Sequence, residues 1–170
     1  MSGNVPYNID LLTFIAQRAL SQLNHAVDLY AVLRGHLWLE RDVLELLQLR
    51  NPNESPRRSF NEKIHRAKAR GLIEETDFMF LEALNNVRNG FAHKLDRETL
   101  TREDDDDLFA ASGDAIRTLY ARLTVEVEEP ETERARGLRF RGLIAAMHIR
   151  LLQRISNDRA ANKALPWNNW

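Results

Sequence analysis

The residues of this chain best suited to chemistry stand close together: Arg88, Asn89 and His93, within Leu84-Asn85-Asn86-Val87-Arg88-Asn89-Gly90-Phe91-Ala92-His93. An imidazole titrates near neutrality and can take the proton from a ribose 2′-hydroxyl. A guanidinium holds a phosphate in a two-pronged grip and neutralises the charge that develops on its oxygens. The Asn89 amide can orient the imidazole or bind a phosphate oxygen. Together these groups suffice to cleave RNA with its own 2′-hydroxyl as nucleophile, leaving a cyclic phosphate and needing neither metal nor cofactor. The same residues also permit a plain structural role, in which Arg88 pairs with Glu82 or Glu62 and His93 caps a helix end.

Spacing decides how three such groups can meet. On a continuous helix Asn89 and His93 share a face, whereas Arg88 and His93 stand about 140° apart. Within one chain Arg88 and His93 converge only if the helix ends near Gly90. A two-fold dimer removes that condition by placing two arginines and two histidines around one cleft. The spacing therefore predicts that the motif is half of a site.

The elements that must hold it are helical. Apolar residues recur at three- and four-residue steps nearly throughout, β-branched runs are missing, and only seven glycines and five prolines interrupt the chain. The expectation is an all-α bundle of about five to six helices, one domain over residues 1–170, with 160–170 as a tryptophan-bearing tail. After a loose lead-in (1–8), the period from Ile9 to Leu49 predicts two helices that divide near Asn24 or Gly35. Asn51-Pro52-Asn53-Glu54-Ser55-Pro56 is a loop, and a helix follows from Arg57 or Ser59 to Arg70, stopped by Gly71. Thr76 is a candidate cap for the helix that runs into the motif. Thr101 with Asp104 has the form of a capping box, opening one helix that reaches Leu123. The acidic run Asp104–Asp107 is explained by the dipole at that helix start, without a metal. Glu128-Glu129-Pro130 breaks the chain before a last, locally basic helix from about Glu131 to Asn157.

Charge and composition narrow the classes. The formal net charge is −1, so any attraction to RNA must come from a local face. The segment 57–70 carries Arg57, Arg58, Lys63, Arg66, Lys68 and Arg70 against one acid, Glu62. Arg57, Arg58, Lys63, Arg66 and Arg70 are the candidate RNA-binding residues beside the motif. His25 and His36 read as solvated or structurally hydrogen-bonded. Cysteine is absent, which excludes disulfides and thiolate metal sites. No apolar run approaches the roughly 18 residues of a membrane span, and no basic-then-apolar leader is present, so the expected setting is cytoplasmic and away from membranes. Trp167 and Trp170 are expected to dock on the domain or on a partner chain.

Arg88-Asn89-Gly90-Phe91-Ala92-His93, closing an amphipathic helix, resembles the Arg-x4–6-His signature of the HEPN superfamily. The wider stretch Phe60-x3-Ile64-x2-Ala67-x3-Gly71-Leu72-Ile73, then Leu81-x2-Leu84-x2-Val87-Arg88, is similar to the branch containing mannitol-operon repressor proteins. The likeness covers about 35 residues, 60 to 93. It implies a helical bundle that dimerises and brings two motifs together. It also implies metal-independent endoribonuclease activity in toxins or antiviral defence, with Arg88 and His93 as the catalytic pair and Asn89 as the polar residue between them. A cognate antitoxin or regulatory protein would then be a further partner. The repressor-like branch implies the alternative, a non-catalytic transcriptional regulator acting through protein contacts.

Overall fold

The computed structural model describes residues 9–24, 27–93, 97–123 and 133–164. The described residues form seven helices and no strand: α1 (Ile9–Asn24), α2 (Asp28–Arg50), α3 (Phe60–Ala69), α4 (Glu75–His93), α5 (Arg102–Ala111), α6 (Asp114–Leu123) and α7 (Glu133–Ala164). The lead-in (1–8), His25, the Glu128-Glu129-Pro130 break and the Trp167 and Trp170 tail lie outside the described residues. The first residues of the expected tail, 160–164, belong to α7. Among the described residues no helix is long and apolar enough to cross a membrane.

α7 is the axis of the bundle. Phe140, Leu143, Ile144, Ala145, Ala146, Met147 and Ile149 are all buried, so this helix is apolar on every side over its middle and must be enclosed. α1, α2, α5 and α6 pack around it, while α3 and α4 pack on α2 and on each other. One continuous core joins Leu39, Val43, Leu46 and Leu47 of α2, Phe80, Leu81 and Leu84 of α4, and Phe140 to Leu151 of α7. Inside it, a buried hydrogen bond ties His148 of α7 to Asp42 of α2.

Several helix ends follow from local chemistry. Ser59 and Glu62 make a reciprocal capping box on α3, and Thr101 and Asp104 make another on α5. Gly71 takes the left-handed conformation (φ 66°) just past α3.

Of the two places expected for the first division, the structure takes Asn24: α2 runs straight through Gly35, where Ile144 packs so closely that a Cβ would stand 2.8 Å from its Cγ2. Three boundaries differ from expectation. The segment 102–123 divides into α5 and α6. Ser112 turns extended (ψ 117°), its hydroxyl donates to Leu108 O at 2.8 Å, and Gly113 lies against Thr76. α4 starts at Glu75, with Asp77 Oδ2 accepting from the Glu74 N–H at 3.0 Å, so Asp77 does the work expected of Thr76. α7 continues past Asn157 to Ala164. The split at Ser112 raises the number of helices above the expected five to six.

Candidate functional site

α4 carries the motif as an unbroken helix to His93. Gly90 does not end it; the Arg97 guanidinium lies over that glycine, where a Cβ would meet its Nη1 at 2.6 Å. Helical geometry therefore keeps Arg88 and His93 about 140° apart within one chain. Asn85, Asn89 and His93, each four residues on, wind slowly along one face instead. Arg88 bridges part of the gap by donating to Asn89 Oδ1 at 3.1 Å. It is half-buried and makes no ion pair among the described residues, with Glu82 and Glu62 included. Glu62 is occupied by Ser59 and Arg58. His93 is exposed, with no hydrogen bond or ion pair among the described residues. Neither Glu82 nor Glu62, the partners open to Arg88 from sequence, is the one adopted.

A second histidine borders the motif. His36 of α2 is 6% exposed and its ring meets Phe60 edge-on, with centroids 4.4 Å apart. Its Nε2 lies 3.3 Å from Asn85 Oδ1, one turn before Arg88. Glu40 stands one turn along α2, 4.0 Å from His36 Nδ1, and is bound by the buried Lys63 Nζ at 2.6 Å. Burial holds the His36 imidazole below the usual histidine range, against the opposing pull of Asn85 and Glu40; Arg88 and Lys63 lower it further. Sequence reading treated His36 as a routine histidine, since no local signal reveals a partner 49 residues away.

The candidate RNA-binding residues of 57–70 are arranged around a carboxylate. Glu54, buried in the α2–α3 loop, receives Arg58 at 3.2 Å, Arg66 at 2.9 Å and Arg70 at 3.1 Å. The hydrogen bond from Arg66, foremost, holds its carboxyl below the ordinary range. Three guanidiniums on one carboxylate leave a net positive surface. Arg57 is exposed, and Lys63 is internal, committed to Glu40.

The opposite flank of α4 is different in kind. Met79, Ala83, Asn86 and Val87 face Glu103, Asp104, Asp107, Ala110 and Ala111 of α5 across a cleft of about 490 Å³. Asp104 also caps α5 and pairs with Arg97, and Asp105 and Asp106 bind Arg139. Among the described residues no group of three or more His, Asp or Glu is placed to hold a metal ion.

Compared with family models, with curated proteins and with solved structures, the chain finds no match. The likeness to HEPN proteins therefore rests on residues 60 to 93 themselves.

Proposed function

We propose that this chain is a metal-independent endoribonuclease of HEPN type, cytoplasmic, acting as a homodimer in a toxin or antiviral defence role. The observation that carries the reading is Arg88: a half-buried guanidinium steadied by the neutral amide of Asn89 and left with its full charge for an anion. Beside it His93 is exposed and open to substrate.

In this mechanism Arg88 and Asn89 grip the scissile phosphate. His93 takes the proton of the 2′-hydroxyl, whose oxygen bonds to phosphorus as the P–O5′ bond breaks. His93 of the second copy protonates the departing 5′ oxygen, giving a 2′,3′-cyclic phosphate and a 5′-hydroxyl. Because α4 keeps Arg88 and His93 apart, the second copy is needed to complete the site. An apolar stripe supports such pairing: Val27 at the N-cap of α2 and Tyr30, Leu33 and Leu37 along it are exposed. The excess positive charge around Glu54 supplies attraction for RNA through Arg57, Arg58, Arg66 and Arg70.

A second reading, a non-catalytic regulator working through protein contacts, is favoured by the α4–α5 cleft. Its apolar floor and acidic wall suit a protein segment and repel RNA.

The deciding experiment incubates purified full-length chain with a labelled mixed-sequence RNA in EDTA. Wild type should leave cyclic-phosphate ends, and Arg88→Ala or His93→Ala should cut the rate by about 100-fold or more. If all three proteins are equally inert, the nuclease reading falls and the regulator reading stands. A monomer in sedimentation at micromolar concentration would remove the composite site.

A further inference from the structure

His36 is a buried titratable side chain that the proposed chemistry leaves unused, and three helices converge on it. α2 carries it, Phe60 of α3 closes over one edge, and Asn85 of α4 takes its Nε2. An amide oxygen only accepts, so Nε2 donates and carries the proton. Nδ1 is then bare in the neutral ring, and its one acidic neighbour, Glu40, is already bound by Lys63. The charged groups facing the ring are Glu40 from its own helix, Lys63 from α3 and Arg88 from α4. Burial foremost, with the two cations adding to it, holds the imidazole below its ordinary pKa and favours the neutral ring.

Asn85 lies three residues before Arg88 and four before Asn89, so it shares their stretch of helix surface. A hydrogen bond at Asn85 fixes the rotation of that turn against α2, and with it the direction in which Arg88 leaves the helix. We propose that His36 is a positioning residue for the Arg88–Asn89 pair, its neutral imidazole anchoring their turn of α4 through Asn85. Charging the ring keeps Nε2–H on Asn85 but sets a third cation beside Lys63 and Arg88, which burial and those two charges oppose. His36 does not touch substrate; it sets the geometry of the residue that does.

The inference rests on the ribonuclease reading for its kinetic arm only. In the RNA assay, His36→Leu should lower kcat by about tenfold or more with KM little changed, as losing an orienting partner does. His36→Gln, whose side-chain amide can still donate to Asn85, should recover most of that loss. Equal kcat in wild type and His36→Leu would overturn the proposal, as would a loss in His36→Leu that His36→Gln does not repair. The second arm needs no activity. The His36 imidazole is titrated by NMR in wild-type protein and in Arg88→Ala. Its midpoint should rise when the Arg88 charge is removed, and the Asn85 side-chain signals should move with the same midpoint. A midpoint indifferent to Arg88→Ala would overturn the proposal even in an active enzyme. An inert wild type with that coupling intact would remove the nuclease reading alone.

Discussion

α7 and α4 both carry partly buried arginines, and they treat them in opposite ways. On α7, Arg139 binds Asp105 at 2.8 Å and Asp106 at 2.7 Å, Arg141 binds Asp28 at 2.7 Å, and Arg154 binds Asp77 at 2.9 Å and Glu74. Arg150 also grips Asp77, and Arg159 reaches Glu45. Each pair crosses between helices, so the basic residues of α7 fasten α2, α4 and α5 to the axis. On α4, Arg88 has a neutral amide in place of a carboxylate. A guanidinium matched by at least one carboxylate of its own is neutralised and works as structure, whereas one facing an amide is oriented and keeps its charge. Arg58, Arg66 and Arg70, crowded on Glu54, lie between and leave a positive excess. The contrast separates arginines that hold the fold from the arginine offered to a ligand.

The contrast breaks most visibly at Asp77. It is fully buried and bound by Arg150 and Arg154, so Asp77→Ala leaves both arginines to Glu74 alone and should cost about 1–3 kcal/mol in urea unfolding. Arg88→Ala should sharpen the difference from the other side. With no ion pair to lose, its stability should stay within about 0.5 kcal/mol of wild type while RNA cleavage collapses. A large stability loss in Arg88→Ala would place that residue with the arginines of α7.

The smallest effect concerns pH. Glu74, held low chiefly by its hydrogen bond from Arg154, and Glu54, held low by Arg66, bind fewer protons folded than unfolded. Their stabilisation is present above the ordinary carboxylate value of 4.5 and is lost as pH falls from there through their lower folded values. His36, lowered from 6.5, also binds fewer protons when folded, so its penalty begins as pH drops below that value. The urea midpoint should fall gently in the histidine range and more steeply in the carboxylate range. His36→Gln should abolish the first decline and leave the second.

What could be read from sequence was what neighbours along the chain decide. The Ser59–Glu62 and Thr101–Asp104 boxes and the Gly71 stop appear where their local chemistry puts them. The helical period gave the all-α class, since burying one stripe per helix leaves its mark every three or four residues. Sequence could not choose between Asn24 and Gly35 as the first division, because a glycine costs a helix about 1 kcal/mol in isolation and the Ile144 packing that outweighs this comes from a helix 109 residues away. The break at Ser112 was hidden because apolar spacing continues across it, from Leu108 to Ile116.

The motif divides along the same line. Sequence alone determined that Arg88 and His93 diverge if one helix carries both, because 100° per residue is a property of the backbone; the structure decided that α4 runs unbroken past Gly90 to His93. Only the tertiary structure decided which charges are already answered. It gave Arg58, Arg66 and Arg70 a common carboxylate in Glu54, buried Lys63 on Glu40, set His36 behind Asn85, and left Arg88 with an amide. The physical reason is range: a helical turn reaches four residues along the chain, whereas an ion pair answers to whatever the fold brings within about 4 Å.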